Sequence, residues 1–412
     1  MDATGQMPRG NDAGSLDMRH IGATEDVASR CVTRGRRPES SPGLAPRAAV
    51  VINVGWVPGI STLQTLGRAG VLVHAVDHRA DALGFRSRYA HARHLSPRRL
   101  DDEDAWIDVL VALGERLDAP APLFALADDD LNAVAAARKR LGDRFLYPFP
   151  AWPVLERIQD KRHQVECARA LGIPTPRTRA EPTDAFGFPV LVKPSQPDDF
   201  RRAFGVKAFR CETSAELDEA WQRAQPYEPT VWEWIPGGDD TLYTLGSYLT
   251  RDGAALGVFC GRKLLQDPPG IGTARIAEAR WVDEVVDQGL ALLRGLAFHG
   301  VSQVEFKRDP RDGAYKLMEV NPRLWQWHSL SAACGVNLAH IAYCDVAGEP
   351  LPLAEMPRNA RTRWAITLKA GRRAVPQRPP YVDPLLPWDD PKLALAHLTR
   401  LVHLRRARRR SQ

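Results

Sequence analysis

The sequence predicts an α/β protein whose first ordered domain is a doubly wound parallel sheet. Residues 48–54 are a continuous, largely β-branched run, the composition of a strand buried on both faces. They lead through Gly55-Trp56-Val57-Pro58-Gly59 into a helical stretch over 60–69, a stop at Gly70 and a second apolar run over 71–77. Strand, helix and parallel strand in this order make a βαβ unit.

The remaining elements follow in order. Residues 1–46 are polar, rich in Gly, Pro, Ser and Arg, and lack apolar periodicity, so disorder is expected there. A helix over 104–117, a strand over 123–126 and a helix over 130–141 complete a first domain spanning 47–150. Pro148, Pro150 and Pro153 mark the boundary. A helix over 157–171 opens a second region, 151–350, of strands and helices. Residues 351–412 read as a proline-rich extension ending in a short basic helix from Pro391.

Composition narrows the class of function. The 412 residues are 44% hydrophobic and 26% charged, an ordinary globular balance with room for several cores. No apolar run approaches the ~20 residues a membrane span needs, and no signal-like segment opens the chain, so no membrane partner is expected. Six scattered cysteines without a CxxC pair argue for reduced thiols and a cytoplasmic setting, against a zinc site or disulfide framework. The net charge of +6 equals the charge of Arg400, Arg405, Arg406, Arg408, Arg409 and Arg410. That run is read as a solvated tail, adding at most weak, salt-sensitive attraction to nucleic acid or anionic lipid. Neither GxGxxG nor GxxxxGK[ST] is present.

The strongest chemical signal lies late in the chain. Val304-Glu305-Phe306-Lys307 and Leu317-Met318-Glu319-Val320-Asn321-Pro322-Arg323 flank a turn containing Asp312-Gly313, the pattern of an antiparallel hairpin. Glu305 and Glu319 each lie seven residues from Asp312, so they fall opposite each other on one face, about 5 Å apart. Asn321, two residues on, points the same way. Facing carboxylates repel unless neutralised, and Mg²⁺ characteristically takes one or two carboxylates together with the phosphates of a nucleotide. An exposed hairpin whose glutamates pair with Lys307 or Arg323 is the plainer alternative.

Glu305 followed by Glu319-Val320-Asn321-Pro322-Arg323 resembles the metal-binding hairpin of the ATP-grasp family, and other family segments follow in order upstream. Asp160-Lys161, opening a helix that ends in Gly172-Ile173-Pro174, resembles the segment of its first nucleotide-contacting lysine; Val190-Leu191-Val192-Lys193 resembles the strand carrying the second. Glu233-Trp234-Ile235-Pro236-Gly237-Gly238 resembles the adenine-holding hinge, with Asp240, or Asp239 in its place, as a ribose contact. Most similar is the branch of carbamoyl-phosphate-synthase-like and carboxylate–amine-ligase-like members. The resemblance implies a Rossmann-like domain ahead of a two-lobed α+β ATP-grasp domain, with lobes of about 151–235 and 236–350. It further implies ATP with Mg²⁺, or Mn²⁺ in its place, the metal being held by Glu305, Glu319 and Asn321. Arg323, and with less weight Arg262 and Lys263, would face the transferred phosphoryl group.

Taken singly, Lys193 also fits a lysine reaching from a strand end to solvent, and Lys161 an ordinary first-turn lysine. One departure concerns 195–207, where many family members have a glycine-rich phosphate loop. Here there is one glycine, leaving Lys207 or the arginines of the segment to approach ATP. In Trp325-Gln326-Trp327-His328 the tryptophans read as core and His328 as an open candidate for substrate contact. The resemblance implies ligation of a small carboxylate to an amine or similar nucleophile. A phosphotransferase, or a nucleotide-binding regulator using the arginine tail, is the alternative, and homo-oligomerisation stays open.

Overall fold

A computed structural model describes residues 47–195, 197–270, 272–370 and 381–410. The expected disorder over 1–46 lies outside the described residues. Among those residues the strands form three sheets. The first holds β1 (Ala49–Ile52), β2 (Val73–Asp77), β3 (Ala90–Leu95), β4 (Ala121–Phe124) and β5 (Phe145–Leu146), all parallel, in the order β3-β2-β1-β4-β5. This is the doubly wound sheet expected from the opening of the chain. All four residues of β1 are buried, which is why the run carries no polar side chain. The turn after β1 is tied by Asp77, whose carboxylate accepts from the backbone N–H of Gly55 at 2.6 Å and of Arg79 at 2.9 Å. A Cβ at Gly55 would meet the tip of the Arg79 side chain and lie 2.8 Å from the Asp77 carboxylate, so a larger residue there requires both to shift.

The sheet order reverses direction between β1 and β4, and the crevice past the carboxyl ends of such strands is where doubly wound sheets take ligands. The helix Asp128–Ala136 begins there, just after β4. The second sheet, in the order β6-β9-β7-β8, is antiparallel: β6 (Thr178–Arg179), β7 (Val190–Lys193), β8 (Phe209–Cys211) and β9 (Thr230–Glu233). The third has seven strands in the order β14-β13-β10-β11-β12-β15-β16. They are β10 (Leu242–Leu249), β11 (Ala255–Asp267), β12 (Thr273–Ala279), β13 (Gly300–Arg308), β14 (Tyr315–Asn321), β15 (Arg363–Ala365) and β16 (Tyr381–Val382).

Two details differ from the sequence reading. The single helix expected over 157–171 is two, Trp152–Gln159 and Lys161–Ala170, because Asp160 leaves the helical conformation and caps the second by accepting from Arg162 N–H at 2.8 Å. The described residues of the 351–412 extension pack on the rest of the chain. They add β15 and β16 to the large sheet, and the helix Pro391–Arg410 returns to the first domain. There Arg68 donates two hydrogen bonds to Asp389 at 2.7 and 2.8 Å, Asp390 binds Ser87, and Leu393 is fully buried. Cys167, Cys211, Cys260, Cys334 and Cys344 are free thiols, and among the described residues no helix is long and apolar enough to cross a membrane.

Candidate active site

The hairpin forms in the expected register: Glu305 of β13 pairs with Glu319 of β14, and Gln303 with Asn321. The turn is closed by Asp309 N–H to the Ala314 carbonyl at 2.8 Å and Gly313 N–H to the Asp309 carbonyl at 2.8 Å. Gly313 takes the left-handed conformation, φ +79°, that the reversal demands. β14 is an edge strand, and its outer groups are covered by the helix Lys161–Ala170 and the segment after it. The buried Gln164 side chain accepts from Val320 N–H at 3.0 Å and donates to its carbonyl at 3.2 Å, while Leu317 N–H reaches the Pro174 carbonyl at 2.9 Å. Gln164 thereby sets the start of its helix, where Lys161 sits, against the strand carrying Glu319.

Four lysines converge on the two glutamates. Lys263 of β11 pairs with Glu305 at 2.8 Å, on the oxygen that also accepts from Gln303 at 3.0 Å. Glu319 accepts from the Asn321 amide at 3.2 Å. Burial alone would raise the Glu319 pKa, but the charges of Lys207 and Lys161, the Asn321 hydrogen bond and Lys263 hold it well below the usual carboxylate range. Lys193, at the end of β7, lies over the Trp232 ring at 4.3 Å. Burial first, and then the charge of Lys161, push its pKa down to about 7; Glu319 opposes the shift, and Lys207 and Lys307 add to it. Lys193 thus holds its proton weakly among like charges, a condition a polyphosphate relieves.

The arginines beside these groups already hold carboxylate partners. Arg323 forms a two-pronged ion pair with Asp128, both contacts 2.7 Å, joining the end of the hairpin to the first domain at the sheet's switch point. It also donates to the Asn321 side-chain oxygen at 3.3 Å. Arg262 and Lys263, expected together on the phosphate side, are separated because strand neighbours face opposite ways. Lys263 reaches Glu305, whereas Arg262 pairs with the buried Glu278 at 2.8 Å.

At the hinge Glu233 is buried and already accepts from Arg177 N–H at 3.1 Å, from the Arg177 guanidinium at 3.1 Å and from Arg311 at 2.7 Å. As it stands it ties the small sheet to the hairpin turn, and an adenine amino group would have to compete with these donors. Trp234 has two cations near its ring, Arg210 at 4.5 Å and Lys307 at 4.9 Å, while Ile235 is buried. Asp239 is consumed by Gln266 N–H at 2.7 Å, the Gln266 amide at 3.0 Å and Gly270 N–H at 2.9 Å. Asp240 is exposed and leaves its carboxylate open, so of the two it is the one able to meet a ribose.

The architecture matches solved structures over three-quarters of the chain. Biotin carboxylase from Campylobacter jejuni, solved as a complex with β,γ-ATP, superposes with a TM-score of 0.59 at 16% identity, covering 76% of this chain and 73% of that one. L-amino acid ligase from Bacillus licheniformis does so with 0.55 at 18% identity, covering 75% and 76%. The family model for the carbamoyl-phosphate synthase L chain, ATP binding domain, matches residues 274–354, the stretch that contains the hairpin. The chain has the ATP-grasp fold. D-aspartate ligase from Enterococcus faecium (strain Aus0004) is 26% identical over 243 residues, 54% of this chain and 58% of that relative, so the match spans little more than half of the curated protein.

In this ATP-grasp fold two further segments are placed by aromatic packing. Where many family members have a glycine-rich loop, Pro197–Phe204 is a helix, fixed by Phe200 and Phe204 packing on Phe209 and Tyr227, and exposed Lys207 follows it. Trp325 and Trp327 are core, as read, and His328 packs beside Trp325. It is buried, sits 2.7 Å from the Trp325 carbonyl and 3.3 Å from Thr62 Oγ1, and burial lowers its pKa to about 4. Sequence reasoning missed Asp128, Arg177, Arg311 and Gln164. Each acts through a partner distant in sequence, and only the acidic run 128–130 after a strand offered a local signal.

Proposed function

We propose that the protein is an ATP-dependent ligase that activates a small carboxylate and joins it to an amine. A carboxylate oxygen attacks the γ-phosphorus of ATP, ADP leaves, and the amine displaces phosphate from the acyl phosphate, losing a proton as the new C–N bond forms. The observation that carries the proposal is the Glu305–Glu319 pair lying among Lys161, Lys193, Lys207 and Lys263. No other role for so costly a concentration of like charge is as economical as binding a metal-bound polyphosphate.

The residues fit a divalent cation held with its nucleotide. Among the described residues no group of three or more His, Cys, Asp and Glu side chains is arranged for a metal, and Mg²⁺ needs only one or two carboxylates when phosphates complete its shell. Glu305 and Glu319 would hold it. Asn321 now offers its nitrogen to Glu319 and its oxygen to Arg323, so its part requires the amide to rotate. The ion supplies neutralisation of charge on the β- and γ-phosphate oxygens. Lys161 and Lys193 orient the nucleotide, Lys207 and Lys263 counter its charge, and the backbone near Ile235, with Asp240, receives the nucleoside. Arg323, anchored by Asp128, sets the floor between this site and the switch-point crevice, through which the second substrate enters.

The kinship with a D-aspartate ligase, and the fold shared with an L-amino acid ligase, make amino acids the first substrates to test. Purified protein with Mg-ATP should release ADP and inorganic phosphate only when a carboxylate and an amine acceptor are both present, with a condensed product in the mass spectrum. Silence across broad amino-acid and carboxylate panels, or a stable phosphoester without free phosphate, would overturn the proposal.

A further inference from the structure

A second cavity, of about 460 Å³, lies apart from the lysine-lined cleft, where the end of β5 and the residues after it meet the end of β10 and the helix Leu338–Ala347. Its size falls within the range of about 300–1,000 Å³ that small-molecule sites occupy. Three cationic or proton-binding groups line it, Arg138, Arg251 and His299, against one carboxylate, Asp345, which already accepts from Tyr248 Oη at 2.6 Å.

The lining is built rather than incidental. Arg138 lies over the Tyr147 ring at 4.4 Å and donates to the Phe149 and Pro150 carbonyls at 2.6 and 2.7 Å. Its Nε and the Tyr147 hydroxyl are both shut from solvent and have no hydrogen-bond partner. Buried donors in that condition are costly, so a fold retains them where something else satisfies them. Arg251, at the mouth, is exposed and makes no recorded hydrogen bond or ion pair among the described residues. Burial, then Arg251 and Arg138, lower the pKa of His299, with Asp345 opposing; burial and Arg251 lower that of Arg138, with Tyr147 opposing. The cavity is thus short of negative charge and supplied with fixed donors.

We infer that this cavity is a binding site, separate from the nucleotide cleft, for a small anion whose carboxylate or phosphate group is received by Arg138, Arg251 and His299. Apolar walls from Phe145 and Val346 leave room for an organic body on that group. Arg138 follows directly on the helix Asp128–Ala136, whose first residue holds Arg323, so the anion would sit at the far end of the element that braces the hairpin.

The test uses the full chain with ¹⁵N-labelled histidine, the His299 ring signals being assigned through a His299→Gln variant. Inorganic phosphate and succinate are titrated separately, which distinguishes the two anion chemistries. The expected result is saturable shifts at His299, with its titration midpoint rising by about one pH unit as the anion binds. Arg251→Met should weaken that response about tenfold or more, because it removes one charged donor without disturbing a recorded contact. Lys193→Met, in the cleft, should leave it unchanged, so the result stands apart from the ligase proposal. If neither anion moves the His299 signals, or Arg251→Met binds as tightly as the parent chain, the site does not exist.

Discussion

Lys193 shows most directly how one side chain reports on the cleft. Its pKa of about 7, against an ordinary lysine value near 10.4, means the folded protein gives up this proton before the unfolded chain does. Between about pH 7 and 10 the unfolded state therefore binds more protons, and the ligand-free protein gains stability as pH rises through that window. A polyphosphate reverses the shift, so binding Mg-ATP at pH 7 should draw up to about half a proton per site from solution at Lys193. Calorimetry in two buffers of different ionisation enthalpy measures this, and Lys193→Met should remove it. Arg323 gives a second prediction at this scale. Its two-pronged pair with Asp128 should show a coupling of about 1.5–3 kcal/mol in a double-mutant cycle of unfolding using Arg323→Lys and Asp128→Asn. The opposition of Glu305 and Glu319 was legible in the sequence, since strand pairing around an Asp-Gly turn is a matter of counting. The partner of Arg323 was not legible, because it lies 195 residues earlier and only the fold brings it near.

Among the elements, the hairpin and the helix Lys161–Ala170 act as a unit through Gln164. Replacing it with leucine keeps the side chain's approximate bulk but leaves the N–H and C=O of Val320 buried without partners, at a cost of about 2 kcal/mol or more. Urea unfolding of Gln164→Leu should show that loss, and nucleotide binding should weaken with it, because Lys161 and Glu319 are positioned by the same contact. The parallel strands and their helices were readable because buried runs and glycine stops are local signals. The helix Pro197–Phe204 was not, since Phe200 and Phe204 gain their value only by meeting Phe209 and Tyr227. The break at Asp160 was hidden for a related reason: its capping role depends on how the preceding helix ends.

For the whole molecule, the chain closes on itself where Asp389 and Asp390 clasp the first domain. Hydrogen bonding from Arg68 chiefly, with Tyr89 and the Arg68 charge also contributing, lowers the Asp389 pKa to about 2, while burial opposes the shift. A depressed carboxylate pKa stabilises the fold above the unfolded value near 4, and that contribution is lost as pH falls towards 2. The stability difference between the parent chain and Asp389→Asn should therefore be full at pH 5 and shrink steadily by pH 2, as followed by thermal unfolding across that range. The return of β15, β16 and the helix Pro391–Arg410 to the large sheet and the first domain could not be read from composition, since a proline-rich stretch looks the same whether it packs or dangles. Nucleotide binding tests the central claim, that two opposed glutamates beneath four lysines form a magnesium–ATP site. Titration calorimetry with non-hydrolysable ATP, in the presence and absence of Mg²⁺, should show metal-dependent binding that falls about 100-fold in the folded Glu305→Gln/Glu319→Gln double variant. Equal affinity in the two proteins, or binding indifferent to Mg²⁺, would contradict the account.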